Sequence, residues 1–317
     1  SLGMVANVFY NLFSSYLRAV GNSRMPLVFL VLSACLNVVL DLILIINFKM
    51  GVAGAAWATN LSQAISAVLC AVYIYKKVPA LMPEKRHWRF HKGDTRYQLA
   101  TGIPMALQFA ITSSGTMVMQ SAINLFGSEA VAAYTAAGKI HGLLTQGMVA
   151  MGQTMAVYSG QNYGKGNAGR IRQGVRAALI IEVIYSVASA VVVSAALGPS
   201  LGLFFSGEVD LAAMMPWART YTTICTLFYV PLCTIFIFRN TMQGCGYGFL
   251  PMMGGVVELA ARLIVAVIAM DIHSYWLACA CDPAAWVGAG LFTGISYLYV
   301  IKKIEKNLGK GTAVHKS

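Results

Sequence analysis

The chain has 317 residues, of which 58% are hydrophobic and 11% are charged, and its mean hydropathy is +0.67. A soluble domain carries about 25% charged residues, so this composition excludes an ordinary soluble globular protein and makes the bilayer the solvent. The net charge of +12 does not point to nucleic acid, because the basic residues sit in short stretches between apolar segments, where Lys and Arg mark the cytoplasmic side.

Read in chain order, the apolar segments predict an all-α polytopic membrane protein of about nine transmembrane helices, over residues 2–20, 26–47, 52–75, 98–126, 130–158, 174–197, 218–243, 250–270 and 283–301. Each is near or above the roughly 20 residues that cross about 30 Å of hydrocarbon. Pro104 and Pro231 fall inside spans and each removes a backbone donor, so both are candidate kinks. Most of the 23 basic residues fall on one side of this zigzag: Arg18 and Arg24, the group from Lys76 to Arg96, Lys165 to Arg176, Arg239, and Lys302 onward. That places the C-terminus in the cytoplasm and Ser1 outside. The longest polar stretch, 79–96, reads as a cytoplasmic linker, with Trp88 and Phe90 among its basic residues hinting at an interfacial helix. Residues 1–78 are then a three-helix partial lobe, 97–303 a six-helix lobe, and 304–317 a cytoplasmic tail. The seven cysteines lie mostly in apolar runs without a CxxC pair and read as small packing residues.

An internal repeat organises the spans. YLRAVGNSRMP (Tyr16–Pro26), between spans one and two, aligns with TMQGCGYGFLP (Thr241–Pro251), between spans seven and eight, and matches Gly21 to Gly246 as well as Pro26 to Pro251. GAAWAT (Gly54–Thr59) then resembles PAAWVG (Pro283–Gly288). Spans one to three therefore correspond to spans seven to nine, and the repeat unit is six helices. The first copy would lack about 120 residues of its beginning by this alignment, and a parallel repeat places a substrate path between two lobes.

The segments LRAVGNSRMPL (Leu17–Leu27), LNVVLD (Leu36–Asp41) with GVAGAAWAT (Gly51–Thr59), TGIPMALQ (Thr101–Gln108) and SGQNYGKGNAGRIRQG (Ser159–Gly174) resemble the multidrug and toxic compound extrusion (MATE) transporters. The resemblance implies twelve helices in two lobes, of which this chain would be helices four to twelve. It also implies export of amphipathic, often cationic drugs in exchange for Na⁺ or H⁺, with no organic cofactor, no enzyme activity and no metal beyond a possible Na⁺. The expected setting is the plasma membrane, with lipid and drug-like substrates as partners and a monomeric protein.

Asp41 is the sharpest functional candidate. It lies within an apolar span, where an aspartate costs about 2.5–3.5 kcal/mol on insertion scales. Asn37 is one helical turn earlier on the same face, and Thr59 reaches a similar depth, roughly 10 Å from the external side at 1.5 Å per residue. Asn11 and Ser14 of the first span compete for the same level. Oxygen ligands suit a hard cation, and a carboxylate in low dielectric can carry a proton instead. The family resemblance implies a cation site on Asn37, Asp41 and Thr59. A second family site, built on acidic residues of the seventh and tenth helices, has no counterpart, because 98–126 and 218–243 contain no Asp or Glu.

In the second lobe, Glu258 and Arg262 are four apart and are expected to form a buried structural ion pair. Gln108, Gln120, Asn124, Tyr134, Lys139, His141 and Gln146 are candidate cavity residues, each also able to hold helices together by hydrogen bonds. Glu182 is a further ionisable group inside a span. Two readings compete with drug export: a lipid-linked oligosaccharide flippase, which calls for a more cationic cavity than Lys139 and Arg262 provide, and a non-transporting fragment. No HExxH, GxSxG or suitably spaced membrane aspartate pair supports an intramembrane enzyme.

Overall fold

The computed structural model describes residues 2–83, 91–204 and 211–314. All described elements are helical. In chain order they are α1 (Leu2–Ala19), α2 (Arg24–Leu42) followed by a π turn (Ile43–Asn47), α3 (Gly51–Lys77), α4 (Lys92–Ile123), α5 (Ser128–Gly164), α6 (Ala168–Phe204), α7 (Leu211–Leu227), α8 (Tyr229–Gly244), α9 (Phe249–Asp271) and α10 (Tyr275–Val314). The chain divides into two compact units, Ser1–His91 and Lys92–Ser317.

Ten described helices stand where nine spans are expected, the extra one arising from a 50° bend between α7 and α8. Pro231 explains the break. It has no N–H for the carbonyl of Leu227 and its ring crowds that carbonyl. The ladder tightens there, with Phe228 N–H bonding Cys225 three residues back at 3.1 Å. Pro104, by contrast, stays inside the continuous helix α4. Among the described residues, Arg24–Asn47, Gly51–Lys77, Ala168–Gly202, Phe249–Asp271 and Tyr275–Asn307 are long and apolar enough to cross a membrane, and the bent pair makes a sixth. Helix α4 starts at Lys92, within the stretch 79–96 expected as a linker. The possible interfacial helix around Trp88 and Phe90 lies outside the described residues. The final helix runs well into the expected tail, to Val314.

The two aligned turns of the repeat have the same backbone. Gly21 has φ +88° and Gly246 φ +84°, a left-handed conformation open to glycine because it has no Cβ. Around Gly21 the bonds are Gly21 N–H to Arg18 O (3.0 Å) and Asn22 N–H to Leu17 O (2.9 Å); around Gly246 they are Gly246 N–H to Gln243 O (2.9 Å) and Tyr247 N–H to Met242 O (3.0 Å). A bond spanning five residues at a left-handed glycine closes the helix end by satisfying its last carbonyls. Pro26 and Pro251 each occupy the third position of the following helix and are buried. Proline is harmless there because the first-turn donors have no helical partner.

In the first unit α1 and α2 both pack on α3. Tyr10, Phe29, Ala67 and Cys70 form the core, with the Phe29 and Tyr73 rings edge-on at 5.9 Å. Tyr10 donates to the carbonyl of Pro26 (3.1 Å), Ser66 to that of Phe29 (3.3 Å), and Asn22 Nδ2 to Tyr73 Oη (3.2 Å). In the second unit α9 packs between α4 and α10, and α5 packs on α6, α7 and α8. Arg172 on α6 pairs with Glu305 on α10 at 2.9 Å, so the start of α6 and the far part of α10 lie at one end.

Candidate functional site

The candidate cation site of the first unit forms where α2 meets α3. Asn37 donates from Nδ2 to Thr59 Oγ1 at 3.4 Å, and Thr59 donates on to the carbonyl of Ala55 at 3.0 Å. The amide hydrogen bond turns Asn37 so that its Oδ1 stays available as an acceptor. Asp41, one turn along α2, holds a buried Oδ1 with no hydrogen-bond partner. The π turn begins two residues later: Phe48 N–H bonds Ile43 O, five residues back, at 3.1 Å. Such widened turns recur at functional sites. Gly54 lets α3 sit against this turn, since a Cβ there would lie 3.2 Å from the Leu44 side chain.

Of the five residues expected at this site, Asn37 and Thr59 are brought together, with Asp41 a turn from Asn37. The two candidates on α1 are not. Asn11 is exposed and bonds back to Asn7, with Nδ2 2.9 Å from the Asn7 carbonyl and a second contact to the Asn7 side chain. Ser14 is buried beside Tyr10 and Cys70 instead. The reason is packing: α1 lies mainly along α3 and scarcely touches α2. An oxygen-rich trio with one carboxylate can offer a hard monovalent cation several neutral donors and one charge, or take a proton on the carboxylate.

The second unit is held by a polar ladder between α4 and α9. Gln108, Thr112 and Gly115 on α4 face Gly255, Glu258 and Arg262 on α9, both sets at helical spacing. Gly255 rests against Gln108. Thr112 Oγ1 donates to Glu258 Oε2 at 3.2 Å. Gly115 opens the space that the Arg262 guanidinium fills, since a Cβ there would meet Nη1 at 2.8 Å.

The expected Glu258–Arg262 pair is exchanged for two cross-helix pairs. Glu258 meets Arg239 of α8 at 3.2 Å, and Arg262 meets Asp282 of α10 at 2.7 Å. Side chains on one helix lie parallel and staggered, whereas partners on neighbouring helices can meet head-on. Each resulting pair is neutral, which lowers the cost of burying four charges. Two of these residues escaped the sequence reading. Arg239 counts there as the basic end of a span, but it is buried. Asp282 stands just outside the expected 283–301 span, but α10 begins at Tyr275, so Asp282 is two turns inside it and 8% exposed. The signal was the apolar run YWLACAC (Tyr275–Cys281) ahead of it.

The candidate cavity residues scatter. Gln108 is buried and accepts from Gln243 Nε2 of α8 at 2.7 Å. Gln120 donates to Asn124 on the next turn at 3.0 Å. Tyr134 packs edge-on against Tyr221 at 4.9 Å. His141 Nδ1 lies 2.7 Å from Tyr229 Oη, and its ring stacks on Trp286 at 5.7 Å. Lys139 and Gln146 are exposed. Gln108, Tyr134 and His141 thus tie helices together within the packed interior.

Glu182 on α6 is 3% exposed, and its Oε2 has no hydrogen-bond partner. It faces Cys233 of α8, which Ser186 a turn later also approaches. An unsatisfied buried polar group costs about 1–3 kcal/mol. Glu182→Met keeps the length and removes that group, so it is expected to stabilise the protein by about that amount. Thermal unfolding in detergent checks this, and a lowered midpoint would show that Glu182 has a partner of value.

A family model described as MatE matches residues 104–268, just over half of the chain. The chain belongs to the MatE family. Among its MatE relatives, the probable multidrug resistance protein YpnP of Bacillus subtilis (strain 168) is 29% identical over 298 residues, covering 92% of this chain and 62% of the relative. The probable multidrug resistance protein NorM of Thermotoga maritima is 25% identical over 288 residues, covering 87% and 58%. A crystal structure of MATE in the bent conformation matches with a TM-score of 0.87 at 20% identity, over 97% of this chain and 68% of that one. This MatE chain therefore shares the fold and spans about three fifths of the length of YpnP and NorM.

Proposed function

We propose that this chain is the larger part of a secondary antiporter that exports amphipathic, cationic compounds in exchange for Na⁺ or H⁺, with Asp41 as the coupling carboxylate. The observation that carries the reading is the unpartnered, buried Oδ1 of Asp41 one turn from the Asn37–Thr59 pair. A carboxylate in a membrane helix that, among the described residues, neither pairs with a cation nor completes its hydrogen bonds is costly to keep, and binding an exchangeable cation would repay that cost. The multidrug-resistance names of YpnP and NorM support export of drug-like cargo. Arg262 is already neutralised by Asp282, which favours cationic cargo over a pyrophosphate-bearing lipid. The basic ends of α1 and α3 support a cytoplasmic face on that side and a plasma-membrane setting, by the excess of Lys and Arg in cytoplasmic loops.

The test is Asp41→Asn in a version of the chain extended to the length of its relatives. Asparagine keeps one ligand oxygen and removes the charge. Efflux driven by an imposed Na⁺ or proton gradient in proteoliposomes is expected to fall to background. Undiminished gradient-driven efflux would remove Asp41 from coupling. The same vesicles, run with each gradient separately, distinguish Na⁺ from H⁺.

A further inference from the structure

A groove runs along the outside of the second unit between α6, α8 and α10. At one end a recess of about 680 Å³ is ringed by Arg172, Arg176 and Lys302. Phe238, Gly294 and Leu298 line this recess and also an apolar recess of about 450 Å³, which runs on past Leu291 and Gly290 to Pro231. The two recesses adjoin at these shared residues, with cations at one end and mostly apolar side chains along the rest. Gly290 and Gly294 keep the floor open: a Cβ at Gly290 would lie 3.1 Å from Thr234 Oγ1, and one at Gly294 3.5 Å from the Phe238 ring. The rim residues Leu291, Ile295 and Leu298 are each more than half exposed, so the groove opens sideways to the surrounding hydrocarbon.

Length and charge select the occupant. From Lys302 to Val287, α10 covers sixteen residues, a rise of about 22 Å at 1.5 Å per residue. One leaflet with its headgroup layer is half of roughly 40–45 Å, hence about the same. Arg172 is engaged by Glu305, whereas no described acid pairs with Arg176 or Lys302. A cationic drug would be repelled from this mouth, and a free phosphate would leave the apolar arm unused. We propose that the groove binds one anionic glycerophospholipid, its phosphate between Arg176 and Lys302 and an acyl chain along α10 toward Pro231. Basic pockets between membrane helices are suited to such headgroups. The site is independent of the coupling role of Asp41.

The experiment is native mass spectrometry of the detergent-solubilised chain titrated with phosphatidylglycerol, phosphatidylcholine and glycerol phosphate. Phosphatidylglycerol is expected to bind about twenty-five-fold more tightly than phosphatidylcholine, and glycerol phosphate is expected not to be retained. A basic residue near the headgroup is worth about a fivefold preference, so Arg176→Gln with Lys302→Gln should bring the two lipids to parity, while Arg176→Lys with Lys302→Arg should keep the preference. Gly294→Leu should weaken both lipids by filling the floor. Equal binding of the two lipids by the unaltered chain overturns the proposal, as does a preference that survives the double Gln change, or glycerol phosphate binding as well as the lipid. An acidic amphipathic peptide displacing the lipid completely would assign the groove to a protein partner instead. Should Gly294→Leu fail to fold, the two charge variants decide alone.

Discussion

Asp282→Asn is expected to destabilise the second unit by about 3–5 kcal/mol, the cost of leaving one member of a buried pair without its partner. Arg262 is 4% exposed, its Nε lies 2.7 Å from Asp282 Oδ1, and its Nη1 has no partner and is packed against Gly115. With the carboxylate gone, the guanidinium keeps its charge, because an arginine does not deprotonate in a protein, and Glu258, one turn away on α9, is already held by Arg239. The companion change Arg262→Met in the Asp282→Asn background should recover most of the loss, since removing both charges of a buried pair is often neutral or stabilising. Reversible unfolding in mixed micelles, run as a double-mutant cycle, reads both numbers. A loss below about 1 kcal/mol for Asp282→Asn, the range of an exposed pair, would show that water reaches the site.

Gly244→Ala is expected to cost about 1–3 kcal/mol, the range for overpacking a close-fitting interior. Gly244 ends α8, and a Cβ built on it would lie 2.2 Å from the carbonyl oxygen of Ala156 on α5. The obstruction is backbone, so no rotamer change relieves it, and the helices must separate. Gly142, on the same helix as Ala156, has no atom within 4 Å of its would-be Cβ. Gly142→Ala should therefore be neutral or stabilising by about 0.5–1 kcal/mol, the helix-propensity gain. If both substitutions shift the thermal midpoint alike, the close approach of α5 and α8 is not what holds them.

The repeat was legible because a helix-ending glycine followed by a proline in the next helix is a local backbone device. Gly21 and Gly246 adopt the same left-handed turn whatever surrounds them. Asn37 and Thr59 were legible for a related reason: polar residues in otherwise apolar spans, placed by counting from a shared helix end, reach the same depth in neighbouring helices, and their side chains meet. Asn11 failed the same count because depth says nothing of azimuth, and packing on α3 left it with Asn7. Pro104 and Pro231 look alike in sequence, yet only the second breaks its helix.

Hydropathy and local turn chemistry are properties of short segments, so the sequence by itself determined the helical membrane class, the spans and the two matching turns. Ion pairing and fit are properties of facing surfaces. Glu258 and Arg262 look like natural partners along one helix, but in a medium of low dielectric each charge is held by whichever opposite charge can meet it head-on. Only the packing of α8, α9 and α10 decided that these are Arg239 and Asp282. The same packing drew Asp282 into the interior and left open the cation-mouthed groove beside α10, which no span-by-span reading of the residues contains.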